Sequence, residues 1–312
     1  IRELFIDESH PLVDRVISGE YAPGSTFKPV VALAALKEGV INNTTSVLCT
    51  GVFTFGGIRF KCWKKYGHGE VNLKTSLEQS CNVFYYNIGK EIGWKPIFES
   101  GSVFGFGKKT GFVFDNEKKG ILPSEYWKRR TMKEPWYKGE SINYSIGQGY
   151  LLVTPMQMAV YISALANKGI LLIPNVEKKI ISNEGIELER GKKQIRKKLE
   201  LNKQHLEWIR NGLYAVVNSK KGTGRRASLK KELNINVSGK TGTAQASEGG
   251  ERINHSWFMS YAPSEDPVVA CVVLVERTDS GAKFAAPIAH DALKAYFEKY
   301  PLKDKELEKE KP

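Results

Sequence analysis

Apolar positions repeat along this chain with two different periods, and the two occupy different regions. A helical period dominates the first two thirds. After the turn Tyr21-Ala-Pro-Gly24, an apolar run from Phe27 to Leu36 predicts a helix that starts near Ser25 and stops near Gly39. Pro29 falls in its first turn, where a missing N–H costs little. Leu77, Cys81, Phe84 and Ile88 share one face of a helix predicted over Leu73 to Ile88. Pro155 to Ala166 reads as a buried helix, and Leu206 to Val217 as an amphipathic one. The last third changes to strand patterning at Ile235–Ser238, Ser256–Ala262 and Val268–Val275, before a closing helix over Ala286 to Phe297.

Three stretches follow neither period. Residues 46–70 are rich in Gly, Cys and aromatics and predict a loop with short strands. Residues 101–150 mix Gly, Pro and charge and predict a loop-rich cap. Residues 171–203 alternate, with many Lys and Glu, and predict a solvent-exposed hairpin or insertion. The Lys/Glu tail after Pro301 should be solvated. The fold class that results is α/β of the α+β kind. An α-rich lobe at about residues 30–165 is inserted beside an antiparallel sheet covered by helices, within one domain over 1–300, followed by the tail 301–312.

The chain has 312 residues, enough for one large core without disulfides. Its net charge of +13 suits an anionic partner, but no motif of nucleic-acid recognition accompanies it. No apolar stretch reaches membrane-span length. The chain opens at Ile1 without a signal-like segment, as expected of a soluble fragment or processed product.

Three short motifs carry chemistry. Ser25-Thr-Phe-Lys28 places a hydroxyl and an amine on one face at a helix start. There the amine can take the hydroxyl proton, provided that burial and positive charge lower its pKa. Alone the pattern is weak, since Ser228–Lys231 and Ser280–Lys283 repeat it. Ser80-Cys-Asn82 adds a second hydroxyl and an amide on a predicted helix. Lys240-Thr-Gly-Thr243 lies on a predicted strand, where Gly242 would admit a ligand backbone. Each has a decoy, Ser141-Ile-Asn143 and Lys109-Thr-Gly111, but only one reading gives the order helix, helix, strand. That trio is a known signature of penicillin-binding proteins and class A β-lactamases.

With these motifs stand Cys62-Trp-Lys-Lys-Tyr-Gly-His-Gly69, Ser76-Leu-Glu-Gln-Ser-Cys-Asn82, Pro135-Trp-Tyr, Ile146-Gly-Gln-Gly149, Thr154-Pro-Met-Gln157 and Lys240-Thr-Gly-Thr-Ala-Gln245. From about residue 9 to 297 the chain resembles the transpeptidase domain of class B penicillin-binding proteins, in particular the elongation branch. The resemblance implies a five-stranded antiparallel sheet and a peptidoglycan D,D-transpeptidase that β-lactams acylate. Ser25 would be the nucleophile, Lys28 its base, and Ser80 with Lys240 a proton relay to the departing D-alanine. The N–H groups of Ser25 and Thr243 would hold the oxyanion. Thr241, Thr243 and Lys240 would bind the donor's terminal carboxylate beside Gly242, and Asn82 the acyl-side amide. It further implies peptidoglycan stem peptides and β-lactam antibiotics as ligands. A glycan polymerase of the RodA type and the scaffold MreC would be partners, through a region outside this chain. The full-length protein would be anchored in the inner membrane with this domain in the periplasm. The rivals are a class D-like β-lactamase, a β-lactam sensor domain, and a class A enzyme, which would need a deacylating carboxylate that neither Glu134 nor Glu140 supplies in the expected motif.

Cys49, Cys62, His68 and Cys81 offer three thiolates and an imidazole, a closed tetrahedral set for structural Zn²⁺. The alternative is a disulfide, since the compartment is expected to be oxidising. Zinc is preferred because His68 adds a fourth donor. The resemblance supports it, with carboxylates in the family standing where this chain has Cys49 and Cys62. Catalysis itself needs no metal. Cys271 reads as a lone buried thiol. His10, His205, His255 and His290 read as surface or capped positions, and Trp63, Trp136, Tyr137 and Trp257 as core or cap packing.

Overall fold

The computed structural model describes residues 2–7, 10–248 and 250–302. In chain order it begins with α1 (Arg2–Ile6) and a 3₁₀ turn (Gly24–Phe27) that runs straight into α2 (Lys28–Lys37). Four short strands follow: β1 (Ser46–Cys49), β2 (Val52–Phe55), β3 (Ile58–Lys61) and β4 (Gly69–Asn72). Then come α3 (Leu73–Glu78), α4 (Asn82–Ile92), α5 (Trp94–Val103), α6 (Glu125–Met132), α7 (Lys138–Tyr144) and α8 (Pro155–Ala166). An arm holds β5 (Ile170–Ile173), β6 (Lys179–Ile181), β7 (Glu187–Arg190) and β8 (Gln194–Lys198). The chain ends with α9 (Lys203–Asn218), α10 (Lys230–Leu233), β9 (Ser238–Glu248), β10 (Glu251–Ala262), β11 (Val269–Val275) and α11 (Ala285–Lys299).

The central sheet is antiparallel in the order β11-β10-β9, so β9 is an edge strand. Among the described residues this sheet has three strands rather than the five expected. The chain before Tyr21 forms α1 and turns instead, with Pro11 and Gly19 interrupting any extended run. Alternation along β10 divides two cores. Trp257, Met259 and Tyr261 join the large core with α2, α4 and α8. Phe258 and Ala262 join a smaller core under α11 with Ala285, Ala289 and Leu293.

The seven helices α2 to α8 lie between residues 28 and 166. Pro155–Ala166 and the helix after the Gly24 turn are buried almost throughout. Two helical expectations change. The helix predicted over Leu73 to Ile88 is broken at Gln79-Ser80-Cys81, with Ser80 in the left-handed region at φ 54°. The strand expected at Ile235–Ser238 begins only at Ser238 and runs on to Glu248. The region 101–150 is loop-rich but carries α6 and α7, pinned by the buried Lys128 between Glu134 and Glu140. His255 is buried rather than surface, edge-on to Tyr21 and accepting from the Arg277 N–H at 3.3 Å. The tail call on 303–312 lies outside the described residues.

Candidate active site and metal centre

The three motifs meet where the 3₁₀ turn, the α3–α4 break and the edge strand β9 adjoin. Lys28 is the first residue of α2 and is fully buried. Its ammonium donates to the Ser80 carbonyl at 2.8 Å and to Asn82 Oδ1 at 2.8 Å, with Ser80 Oγ at 3.4 Å. Lys240, also fully buried, donates to Ser80 Oγ at 2.8 Å. Ser80 thus stands between two lysines brought from opposite ends of the chain. Its left-handed backbone turns its carbonyl and its hydroxyl to the same side as both amines. An unbroken helix would have consumed that carbonyl, so the break is what the predicted helix had hidden.

Burial lowers the Lys28 pKa to about 8, against a smaller upward pull from Cys81, Cys62 and Cys49. Burial, then the positive charge of Lys28, holds Lys240 well below the ordinary lysine value. These are the conditions under which a lysine serves as a base near neutrality. Ser25 sits three residues before Lys28, partly exposed, on the 3₁₀ turn that leads into α2, at the helix start where the motif reading put it. The Lys28 hydrogen bonds run to Ser80 and Asn82, with Ser25 one turn away along the same face.

Gly242 was expected to admit a ligand backbone. In the structure it gives room to the turn that carries Ser25: a Cβ there would lie 2.9 Å from Thr26 Cγ2 and 3.0 Å from the Pro23 carbonyl. A Cβ on Gly147 would lie 2.1 Å from the Gly24 carbonyl, and the Gly24 N–H donates to the Gly147 carbonyl at 2.9 Å. The Gly147-Gln-Gly149 segment is therefore a backing plate for the Ser25 turn. Trp257 anchors the same turn from below, its indole N–H donating to the Ala22 carbonyl at 3.0 Å. Trp63, although exposed, donates to the Gln79 carbonyl at 3.0 Å and so holds the break beside Ser80. Trp136 packs in the cap, bonded to Ser141 Oγ at 2.9 Å, while the Tyr137 ring is half-exposed above Lys128.

On β9, Thr241 is buried and Thr243 exposed at the cleft edge. Thr241 Oγ1 lies 2.8 Å from Thr223 Oγ1, a residue that no motif had singled out. Both decoys are spoken for. Ser141 accepts from Trp136, and Thr110 bonds Glu117 through its N–H and its hydroxyl. Glu140 accepts from Lys128, the Tyr150 hydroxyl and the Tyr137 N–H, so it is committed to the cap.

Behind the site, Cys49, Cys62, His68 and Cys81 converge, with their ligand atoms all within 4.8 Å of one another. All four cysteines are free thiols. His68 Nδ1 is 3.5 Å from both Cys49 Sγ and Cys62 Sγ. Tetrahedral Zn–S and Zn–N bonds of about 2.3 and 2.0–2.1 Å imply N···S edges of about 3.5–3.6 Å, so the donors fit the ion. Hydrogen bonding between Cys62 and Cys81 pushes the Cys62 thiol down and the Cys81 thiol up. A metal bound there would take both as thiolates. The Asn82 N–H donates to Cys62 Sγ at 3.4 Å while Asn82 Oδ1 accepts from Lys28, so the cluster and the buried lysine share one residue. Cys271 is partly exposed and apart from the cluster, its thiol pushed up to about 11 by burial.

Comparison with known proteins agrees with this geometry. The family profile described as penicillin binding protein transpeptidase domain matches residues 3–294. The chain is 33% identical over 312 residues to the peptidoglycan D,D-transpeptidase MrdA of Haemophilus influenzae, covering 95% of this chain and 47% of that protein. Among solved structures it is similar to PBP2 of Pseudomonas aeruginosa, with TM-score 0.83 and 32% identity over 95% of this chain and 63% of that one. It is also similar to PBP2 of Helicobacter pylori, solved as a complex with MreC, with TM-score 0.81 and 30% identity over 96% of this chain and 54% of that one. The chain spans about half the length of the curated relatives it matches.

Proposed function

The chain belongs to the penicillin-binding protein transpeptidase domain family, and from that premise we propose that it is the catalytic domain of a peptidoglycan D,D-transpeptidase of the PBP2 kind, which cross-links stem peptides during cell-wall elongation. The observation that carries this reading is the buried Lys28–Ser80–Lys240 hydrogen-bonded set beside Ser25, assembled from three distant motifs. In the proposed reaction Ser25 Oγ attacks the carbonyl between two D-alanines as Lys28 takes its proton. The N–H groups of Ser25 and Thr243 face the oxyanion, and Asn82 holds the acyl-side amide. Lys240, Thr241 and Thr243 receive the terminal carboxylate. Ser80, held by both lysines, passes a proton to the departing D-alanine amine. The amine of a second stem peptide then attacks the ester, releasing Ser25 and forming the cross-link.

β-Lactams mimic the donor and acylate Ser25 in the same step. Cys49, Cys62, His68 and Cys81 would hold a structural Zn²⁺, which supplies a fixed tetrahedral crosslink behind Ser80 and Asn82 and takes no part in acyl transfer. The proposal extends to the setting: anchorage in the inner membrane through a region outside this chain, with this domain in the periplasm. A RodA-type glycan polymerase and an MreC scaffold would be partners there; the complex with MreC of the similar Helicobacter protein supports the latter.

The test is intact mass against time after adding a slight excess of benzylpenicillin, with peptide mapping. A one-to-one adduct on Ser25 lasting hours is expected. An adduct lost within seconds, with drug hydrolysis, would make the protein a β-lactamase. No adduct on Ser25 would overturn the assignment of the nucleophile.

A further inference from the structure

Thr241 reaches the site with its hydroxyl already partnered. Its Oγ1 lies 2.8 Å from Thr223 Oγ1, and either atom can be the donor. Thr223 follows α9 in a turn held from three directions. Its N–H donates to the Glu78 carbonyl at 3.2 Å, and its hydroxyl lies 3.3 Å from that same carbonyl. The Glu78 carboxylate accepts from Ser219 Oγ, at the other end of the turn. The Gly224 N–H returns to the Val216 carbonyl at 2.8 Å. Glu78 is buried and closes α3 just before the Ser80 break. One carboxylate and one carbonyl of the Ser80 segment thereby fix the height at which Thr223 meets β9.

A hydroxyl has a single proton and can donate in only one direction at a time. If Thr241 donates to Thr223, it has no proton left for a ligand. If Thr223 donates to Thr241, the Thr241 proton is free to point into the cleft, and the donated bond polarises it. A carboxylate arriving at Thr241 selects the second arrangement, because a charged acceptor outcompetes a neutral one. Thr223 then exchanges its contact with the Glu78 carbonyl for a bond to Thr241.

We infer that Thr223 is a positioning residue for recognition of the donor's terminal carboxylate, acting through Thr241 as a two-hydroxyl relay. The inference rests on the transpeptidase reading, in which Thr241 meets that carboxylate. It assigns Thr223 no contact with the reacting carbonyl, and it predicts an effect confined to ligands bearing the carboxylate.

The experiment compares acylation of the wild-type chain, Thr223→Val, Thr223→Ser, Thr241→Val and the double variant by benzylpenicillin and by its methyl ester. Val keeps the shape of Thr without the hydroxyl, and Ser keeps the hydroxyl. Thr223→Val should slow acylation by the free acid about 5–10-fold, the range of one neutral hydrogen bond. It should leave the ester rate within about twofold, and Thr223→Ser should recover most of the loss. The double variant should be no slower with the acid than Thr241→Val alone, because the relay needs both hydroxyls. Equal slowing of acid and ester, or multiplying effects in the double variant, overturns the inference and makes Thr223 a structural support only. Failure of the wild-type chain to be acylated at all would instead remove the transpeptidase reading on which it rests.

Discussion

At the residue scale the site depends on burying two lysines and leaving them usable. Burial disfavours the ammonium form, which is why Lys28 falls to about 8 despite the nearby thiols, and why Lys240 lies well below the ordinary lysine value. The sign follows directly. Below pH 8 Lys28 is protonated and cannot accept the Ser25 proton; above it the amine is free. Acylation by benzylpenicillin should therefore rise about tenfold per pH unit below the Lys28 pKa and level off above it. A stopped-flow pH profile checks this, and a flat profile from pH 6 to 9 would rule out Lys28 as the base. Lys28→Arg should abolish acylation at every pH in that range, since guanidinium does not deprotonate. Ser25, Lys28, Ser80 and Lys240 could be singled out in the sequence because each stands at fixed spacing within a short motif, and the structure brings Lys28, Ser80 and Lys240 together. The left-handed backbone at Ser80 was not legible, since nothing in Gln79-Ser80-Cys81 interrupts the apolar spacing of Leu77, Cys81 and Phe84.

At the element scale, what interrupts that helix is tertiary. Cys81 is drawn into the cluster with Cys49, Cys62 and His68, and Trp63 holds the Gln79 carbonyl from outside. The strands β1 and β4 pair so that Cys49 faces Gly69, directly after His68, and β3 delivers Cys62. The loop predicted for 46–70 thus carries three of the four donors, Cys49, Cys62 and His68; the donors were readable from the sequence, while the strand pairing that brings them together was not. The element has a testable consequence. Purified protein should carry one zinc per chain, and Cys62→Ser should lose it. The loss should lower the melting temperature by roughly 5–10 °C. It should also slow Ser25 acylation by at least about tenfold, as Asn82 and Ser80 lose their support behind Lys28. Elemental analysis, a thermal melt and acylation kinetics on one preparation decide the matter. Full acylation in a zinc-free, fully folded Cys62→Ser variant would separate the cluster from the active site.

At the scale of the whole molecule, sequence pattern distinguishes the parts that build the site from the part that does not. The nucleophile turn is fixed by β9, by Gly147 and by Trp257, so the sheet, the cap and the lobe all converge on Ser25. The arm over 171–203 stands apart from that turn and meets the cap where Arg196 donates to the Lys109 carbonyl at 2.7 Å. Its strands β5 and β8 pair with each other, and buried Leu171 and Leu199 fasten their base near α8. Beyond that base, β6 and β7 pair only with each other and expose every residue. Lysines and glutamates are frequent there because no core selects among the exposed positions, which is why the segment reads as a solvent-exposed hairpin or insertion. An exposed two-stranded hairpin contributes little to stability on its own. Replacing residues 178–190 by a short glycine-serine turn should therefore leave benzylpenicillin acylation within about twofold and the melting temperature within roughly 2 °C. The same excision taken through β5 and β8 should destabilise the protein, because it uncovers Leu171 and Leu199. A loss of acylation in the shorter deletion would mean that the hairpin communicates with Ser25 by a route absent from its contacts. Unchanged acylation would leave its Lys178, Lys179, Lys192 and Lys193 to matter only where an anionic polymer is present, and there the binding should weaken with salt.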